Sequence, residues 1–279
     1  MTRLISGHTR LIAHLGVPTE SFKAPMIYNP YFADRDIDVC VMPMGCRAED
    51  FAEFLPLVFR LTNIAGALIT MPHKVTVVDL LDETSTTVKV CGACNAVKRD
   101  ADGRLVGDMF DGEGFVRGVE RKGRSFAGAS VIVVGSGGVG SAIAASAAKA
   151  GAARLALADT RPASAERLAA SLKTHYPGLT VEISNDPAGF DIAVNATPLG
   201  MNAGDPLPMD LSGVTASTFV GEVVMKAEET PFLAAARAKG CATQIGTDML
   251  FEQIPAYLEF FDLPTTTPDE LRRLATIKY

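Results

Sequence analysis

The 279-residue sequence has no long uninterrupted apolar segment, little net charge and no regular set of cysteines. Its most apolar stretch, residues 130–158, is broken by glycines and by Lys149, so we expect no segment that spans a membrane. Residues 1–7 lack the apolar core of a signal peptide. The net charge of −6 argues against nucleic acid as a partner, because nucleic-acid-binding domains usually present a basic face. We therefore expect a cytoplasmic protein with neither a membrane nor a nucleic-acid partner.

The cysteines of the sequence are few and irregularly spaced. Their number, five, is odd, which is typical of a protein in a reducing compartment. Cys91 and Cys94 have the Cys-x-x-Cys spacing of redox and zinc sites, but no second cysteine pair or histidine pair completes a metal site. We predict that the cysteines are small buried residues and that no metal is bound, the alternative being redox or metal chemistry at Cys91 and Cys94.

The length and the residue pattern favour two α/β domains. Apolar residues make up 48% of the chain and charged residues 21%, as in ordinary globular proteins. Short β-rich segments alternate with helical patterns, which indicates βαβ units and a mostly parallel sheet. We predict an N-terminal α/β substrate-binding and catalytic domain, residues 1–115, and a C-terminal Rossmann dinucleotide-binding domain, residues 116–245. The last helices, within residues 246–279, are expected to return to the first domain and complete it.

The predicted elements follow from the same periodicities. In the first half, strands are predicted at 10–14, 37–43 and 65–70, helices at 25–33 and 49–62, and a hairpin from 93–98 and 104–108. A charged, glycine-bearing stretch at 118–128 separates the two halves. In the second half, strands are predicted at 131–134, 154–159, 180–183, 191–195 and 217–222, and helices at 139–150, 163–175 and 230–239, with helical segments at 247–261 and 268–277 in the tail.

A glycine-rich loop follows the apolar strand at 131–134. Gly135, Gly137 and Gly140 form the GxGxxG pattern, with Gly138 and Val139 inside it, and an alanine-rich helix comes next. Such glycines give a tight turn, room for a pyrophosphate and close helix–strand contact. The free N–H groups of the helix N-terminus attract the phosphates. The loop therefore predicts a dinucleotide site, and the alternative is a glycine-rich turn without a ligand.

Asp159 ends the next predicted strand, about twenty residues after the glycine loop, where a carboxylate binds the adenosine ribose hydroxyls. It would also repel the 2′-phosphate of NADP. Arg161, two residues further, could instead pair with that phosphate. The alternative role of Asp159 is to cap the following helix. The pattern favours NAD as the cofactor, with NADP as the second possibility.

Three polar residues precede the dinucleotide domain: Lys74 just after a strand, Asn95 after a glycine turn, and Asp111 at the start of a helix. Lys74 on its own could be an ordinary surface lysine. The motifs around these residues, however, resemble those of the shikimate/quinate dehydrogenase family over nearly the whole chain. The matching segments are 70–74 (TMPHK), 92–95 (GACN), 111–115 (DGEGF), 135–140 (GSGGVG), 195–201 (NATPLGM), 229–233 (ETPFL) and 246–250 (GTDML) followed by Gln253.

The resemblance implies an NAD(P)-dependent oxidoreductase that transfers a hydride between a hydroxylated cyclic acid, or a similar alcohol, and the nicotinamide. It implies that Lys74 and Asp111 are the catalytic pair, with the lysine exchanging the hydroxyl proton and the aspartate orienting it. The residues that it implies for substrate binding are Asn95, Thr70 and Gln253. The residues that it places beside the nicotinamide are Asn195, Thr197, Gly246 and Met249. His73, within the first motif, is interpreted as structural.

Several positions depart from the family pattern. Members that use shikimate have a Ser-x-Ser-Pro turn whose hydroxyls bind the substrate carboxylate, and here Phe22, Lys23 and Ala24 stand at that turn. An insertion, residues 15–20, is expected before it. Leu68 replaces the usual asparagine and Met225 an expected tyrosine. The acid-binding end of the pocket is therefore predicted to be altered, and shikimate to be a poor substrate.

Two other interpretations remain open. The chain could be an orthodox shikimate or quinate dehydrogenase in which Thr19, Ser21 or Lys23 replaces the lost donors. It could also be a non-catalytic nucleotide-binding regulatory module, although the presence of both Lys74 and Asp111 argues against this. In each enzymatic interpretation the partner is a small hydroxy acid, and the protein is expected to be a monomer or a homodimer.

Overall fold

The structure, a computed structural model, describes residues 4–226 and 229–277. It divides into two compact units. Unit 1 contains the chain up to Val88, Gly92–Met109 and the chain from Ile254 onward, and unit 2 contains Lys89–Cys91 and Phe110–Gln253. The predicted α/β fold, with a substrate domain followed by a Rossmann-like domain, is confirmed. Unit 2 begins at Phe110, whereas the second domain was predicted to begin after residue 115, and it continues to Gln253, whereas that domain was predicted to end after residue 245.

The elements come in the following order. Up to the end of the hairpin they are β1 (Arg10–Gly16), α1 (Pro25–Asp34), β2 (Val39–Gly45), α2 (Phe51–Val58), β3 (Ile64–Ile69), β4 (Glu83–Thr84), α3 (Thr86–Cys91), β5 (Ala96–Arg99) and β6 (Leu105–Asp108). Thereafter they are α4 (Asp111–Arg121), β7 (Ser130–Val134), α5 (Gly138–Lys149), β8 (Arg154–Ala158), α6 (Pro162–His175), β9 (Thr180–Ile183), β10 (Ile192–Asn195), β11 (Phe219–Glu222), α7 (Pro231–Ala238), β12 (Thr243–Gln244), α8 (Gly246–Phe260) and α9 (Pro268–Leu274).

The sheet of unit 1 has the strand order β2-β1-β3-β5-β6-β4. Strand β1 pairs in parallel with β2 and β3. Strand β5 pairs antiparallel with β3 and also with β6, the second pairing being that of the predicted hairpin. Side chains of β1 are buried on both faces from Ile12 onward, which is typical of a strand inside a parallel sheet. The carboxyl ends of β1 and β3 therefore meet at one edge of this sheet.

The last helix, α9, packs on α1 within unit 1. The hydroxyl of Tyr31 donates a hydrogen bond to the carbonyl of Pro264 at 2.7 Å, and Arg35 pairs with Glu270. The backbone N–H of Thr276 donates to a carbonyl in α1 at 2.9 Å. The expected return of the chain end to the first domain is thus confirmed.

The sheet of unit 2 is wholly parallel and has the order β12-β11-β10-β7-β8-β9, the strand order of doubly wound dinucleotide-binding folds. Successive strands are added on one side of β7 up to β9 and on its other side from β10 onward, so the strand order reverses between β7 and β10. Sheets of this kind bind ligands outside the carboxyl ends of the strands at that point. Alanines of α5 lie in the core of unit 2, where their small side chains let the helix approach the sheet closely.

A few element boundaries differ from the predicted ones. The helix expected at 49–62 ends at Val58, because the N–H groups of Arg60 and Leu61 bond three residues back rather than four. The strand expected at 37–43 runs two residues later, since its pairing with β1 extends from Val39 to Gly45. The first residues of the expected separator, 118–121, belong to α4.

The segment interpreted as an insertion, residues 15–20, is largely ordinary structure. Leu15 and Gly16 complete β1, and Leu15 pairs with Ile69 of β3. A single 3-10 turn, Thr19–Ser21, then leads toward α1. The strand predicted at 10–14 therefore ends two residues later, at Gly16.

Candidate functional site

The glycine loop after β7 has the geometry of a dinucleotide fingerprint. Gly135 has φ +103°, a conformation that favours glycine, and a Cβ there would lie 2.6 Å from the carbonyl oxygen of Ala196. A Cβ on Gly140 would overlap the carbonyl oxygen of Gly135. These two glycines therefore provide the tight turn and the close approach of α5 to the sheet.

Gly137 and Gly138 differ from those two, because a Cβ on either would meet nothing within 4 Å. Both are exposed, and they stand at the N-terminus of α5, where the first N–H groups have no partner within the helix. Val139, the next residue, packs against the core of unit 2 and anchors the helix start. The open space before a helix N-terminus fits the pyrophosphate of NAD(P).

Asp159 lies directly after β8, beside this loop. Its carboxylate accepts hydrogen bonds from the backbone N–H groups of Ser136 and Arg161, each at 2.8 Å. Partial burial disfavours the charge, yet the N–H donors of Arg161 and Ser136 hold the pKa of Asp159 below its usual value. The Arg161 guanidinium nitrogen Nε lies 3.7 Å from the carboxylate and is mostly exposed. Asp159 does not cap α6, whose N-cap residue is Arg161.

The loop after β10 is organised by Asn195 and Thr197. The Asn195 side chain is fully buried, donates to the carbonyl of Leu199 at 3.0 Å and accepts from the Thr197 hydroxyl at 2.6 Å. Thr197 in turn accepts from the Leu199 N–H at 3.1 Å. Both side chains thus fix the shape of this loop, which borders the carboxyl end of β10.

Gly246 and Met249 lie at the start of α8. A Cβ on Gly246 would overlap the carbonyl of Val224, so the helix begins against the segment after β11. Met249 is 3% exposed and belongs to the core of unit 2. These residues set the position of α8 within that unit.

Asp111 is the first residue of α4 and is buried. The two glycines of its motif allow close packing: a Cβ on Gly112 would overlap the Ala142 carbonyl of α5, and one on Gly114 would lie 2.6 Å from the Met249 carbonyl of α8. Gln253, one turn further along α8, also touches Gly114, and its Oε1 atom is buried without a hydrogen bond in the part of the chain that the structure describes. The motif thus positions Asp111 and Gln253 on neighbouring helices of unit 2.

Lys74 and Asn95 are close in unit 1. Lys74 follows β3 and is half-buried, and its carbonyl accepts the N–H of Cys94 at 2.8 Å. Asn95 is 1% exposed, and its carbonyl accepts the N–H of Ile69 at 2.9 Å. The backbone therefore holds both residues at the carboxyl end of β3.

His73 is built into the structure of unit 1. Its Nε2 atom lies 2.9 Å from the carbonyl oxygen of Cys46, and its ring stacks on Phe51 with 3.9 Å between centroids. This packing fixes the residue immediately before Lys74.

Sequence reasoning missed His14, which ends up beside the predicted substrate residues. His14 is 7% exposed and stacks on Phe22, with 4.0 Å between ring centroids. A Cβ on Gly16 would overlap the Thr70 side chain and lie 3.2 Å from the tip of the Phe22 ring. Burial, with the Lys74 ammonium as a second cause, lowers the pKa of His14 to about 4. The sequence signal that could have identified His14 is its position in the predicted strand, two residues before Gly16.

The predicted residues thus fall into two groups. Unit 1 brings together Phe22, Thr70, Lys74 and Asn95, with Lys23 and Ala24 half-buried directly after Phe22. Unit 2 holds the glycine loop, Asp159 with Arg161, and the residues on α4, α8 and the loop after β10. Within the described ranges we find no cluster of His, Cys, Asp and Glu suited to a metal ion, and no helix long and apolar enough to cross a membrane.

Comparisons with known proteins agree on one family. The model of the shikimate dehydrogenase substrate-binding domain matches residues 15–97. A shikimate dehydrogenase (NADP(+)) of Geobacter metallireducens is 32% identical, over 98% of this chain and 99% of that one. A quinate/shikimate dehydrogenase (NAD(+)) of Corynebacterium efficiens is 38% identical, over 78% of each chain. The crystal structure of a 5-ketofructose reductase from a Gluconobacter species superimposes with a TM-score of 0.88 and 26% identity, over 96% of this chain and 98% of that one.

Proposed function

The chain belongs to the shikimate dehydrogenase family and is an oxidoreductase that uses NAD or NADP, and from this premise we propose that it interconverts a hydroxyl and a ketone on a small polyhydroxylated molecule. The observation that carries the proposal is the placement of Lys74 and Asn95 together at the carboxyl end of β3, next to Thr70. A lysine held half-buried among polar groups at a strand end is suited to proton exchange with a substrate oxygen.

When bound, NAD(P) accepts or supplies the hydride. Lys74 takes the hydroxyl proton when the substrate is oxidised and returns it when the ketone is reduced. Asp111, at the N-terminus of α4, is the second catalytic residue. Thr70, Asn95 and Gln253 bind substrate hydroxyls.

We propose NAD as the preferred cofactor. The carboxylate of Asp159 is held in place by two backbone N–H groups and is suited to bind the ribose hydroxyls. The same negative charge opposes a 2′-phosphate. Arg161 is the rival influence, because its exposed guanidinium lies near the same position.

The acid-binding end of the pocket is, in this proposal, altered. Phe22 is buried, with 6% exposure. The side chains of Phe22 and Ala24 have no hydrogen-bond donor, so neither can replace a hydroxyl that binds a carboxylate. The nearby Ser21 already donates its hydroxyl hydrogen to the carbonyl of Pro18 at 2.9 Å. Shikimate is therefore expected to be a poor substrate. An uncharged sugar ketone, the kind of compound reduced by the Gluconobacter neighbour, is the second candidate.

The test is steady-state kinetics with the wild type and the Lys74→Ala variant, in which shikimate and quinate are oxidised with NAD or NADP and 5-ketofructose is reduced with NADH or NADPH. The expected result is turnover of at least one compound, lost on substitution of Lys74. Lys173→Ala, a change at an exposed lysine of α6, is the matched control and should leave the rates unchanged. Turnover that persists in Lys74→Ala would contradict the proposed role of the lysine. We further propose that the protein acts in the cytoplasm as a monomer or homodimer.

A further inference from the structure

His14 is a buried polar side chain that the mechanism does not use. It is 7% exposed, and its Nδ1 atom is buried without a hydrogen bond among the described residues. A buried polar atom without a partner is costly, so such atoms in native proteins usually have a function or a missing ligand. Stacking on the Phe22 ring holds the imidazole in this position.

The surroundings of His14 are those of the proposed substrate site. His14 and Gly16 are two residues apart on β1 and therefore face the same side of the sheet of unit 1. Gly16 lies against Thr70 and the tip of the Phe22 ring. Leu68, on β3, pairs with His14 in register. Thus Phe22 stands where relatives that bind an acid are expected to place a hydroxyl donor, and the imidazole of His14 is stacked against it.

The imidazole of His14 is uncharged, because burial disfavours its protonated form. The ammonium of Lys74 is near enough to His14 to lower the pKa of the imidazole, in addition to the effect of burial, so that the ring is neutral at physiological pH. A neutral imidazole carries one donor and one acceptor nitrogen and no charge that would attract a carboxylate. A substrate hydroxyl can act as acceptor or donor, and so can satisfy either ring nitrogen.

We propose that His14 and Phe22 are specificity-determining residues of the substrate site: Phe22 packs against an uncharged end of the substrate, and His14 exchanges a hydrogen bond with a substrate hydroxyl. The substrate class is therefore an uncharged polyol or polyhydroxy ketone rather than a carboxylic acid. This inference rests on the proposed function and specifies its substrate. Burying a carboxylate beside Phe22, without its hydroxyl donors, would cost far more than burying a neutral group of the same shape.

The experiment compares shikimate and quinate with their primary amides, which have the shape of the carboxylates without the charge. In the wild type, kcat/KM for each amide is expected to exceed that of its acid by at least about tenfold, the effect of losing one hydrogen bond to a charged group. The wild-type ratio decides the question even if a variant fails to fold. A preference for the acids would overturn the inference and leave the proposed function intact. Absence of Lys74-dependent turnover with all four compounds and with 5-ketofructose would overturn both.

Substitutions at Phe22, Ala24 and His14 test which residues determine the preference for the amides. The double substitution Phe22→Ser and Ala24→Ser restores two hydroxyls and should shift the preference at least about tenfold toward the acids. His14→Phe keeps a ring for stacking but removes both nitrogens, and should raise KM for the amides without changing KM for the dinucleotide. His14→Asn should recover part of the loss, because its amide can replace one ring nitrogen.

The controls separate binding from folding. His8→Phe, a change at an exposed histidine, should leave every constant unchanged. A purely structural role of His14 predicts that Phe and Asn variants lose kcat and thermal stability together, and that result would overturn the inference. Loss of acid turnover in Lys23→Met, from a wild type that prefers acids, would assign a carboxylate site to Lys23 instead.

Discussion

Acid pH should destabilise the protein through His14 in a way that can be isolated by substitution. Burial, together with the Lys74 ammonium, lowers the pKa of this imidazole from 6.5 to about 4. Between these values the unfolded chain binds a proton that the folded chain does not. The free energy of unfolding therefore falls as pH decreases from about 6.5 to about 4, and the contribution is fully retained above pH 6.5.

The pKa difference sets the size of the effect. Each unit corresponds to about 1.4 kcal/mol, so the loss reaches about 2 kcal/mol at pH 5 and about 3 kcal/mol at pH 4. His14 is only 7% exposed, so solvent screening takes little from this figure. A loss of this size is a substantial part of the stability of an ordinary domain.

The assay is urea unfolding at several pH values between 7 and 4, for the wild type and for His14→Phe. Other groups titrate in both proteins, and the difference between the two curves removes them. The stability of the wild type should fall more steeply than that of the variant, by about 2 kcal/mol between pH 7 and pH 5. Parallel curves would contradict this prediction, because they would mean that His14 binds a proton in the folded protein as readily as in the unfolded chain.

Three further predictions follow from other parts of the structure. Lys74→Ala or Asp111→Ala should each lower kcat about a hundredfold or more, the usual effect of losing a positioned acid–base group, while the Kd for the dinucleotide from fluorescence titration stays unchanged; rates within a few-fold of wild type for both would contradict the assignment. Asp159→Ala should weaken NAD at least about tenfold, by removing hydrogen bonds to a charged group, and should reduce the discrimination against NADP; a wild type that already prefers NADP in steady-state kinetics would mean that Arg161 dominates. Gly112→Ala should lower the free energy of unfolding by about 1–3 kcal/mol, because its Cβ meets a backbone carbonyl of α5, whereas Gly178→Ala, at an open position, should be close to neutral in the same denaturation assay.

The parts of the fold that the sequence predicts are those with local causes. The glycine loop could be recognised because a buried strand, three glycines at fixed spacing and an alanine-rich helix are all readable along the chain. The hairpin before Asp111 was likewise marked by its turn residues. The end of α2 was not predictable, because it depends on a local change to three-residue hydrogen bonding that the apolar pattern hides.

The candidate site was predictable only in part, for a different reason. Lys74 and Asn95 were found through family motifs, while the backbone hydrogen bonds that hold them, from Cys94 to Lys74 and from Ile69 to Asn95, join segments distant in the sequence. His14 carries no motif, and a single histidine in an apolar strand is ordinarily read as part of the core. Its importance arises from packing on Phe22 and from the charge of Lys74, which are tertiary effects.

The most direct test of Lys74-dependent catalysis in an altered pocket is the initial rate of NAD reduction by the wild type and by Lys74→Ala, with shikimate, quinate and their primary amides as substrates. We expect reduction that depends on Lys74, faster with NAD than with NADP and faster with the amides than with the acids. We also expect a kcat/KM for shikimate below about 10⁴ M⁻¹s⁻¹, the lower end of ordinary enzymes. A shikimate efficiency above that value, with the amides slower, would contradict the altered pocket and support an orthodox shikimate dehydrogenase.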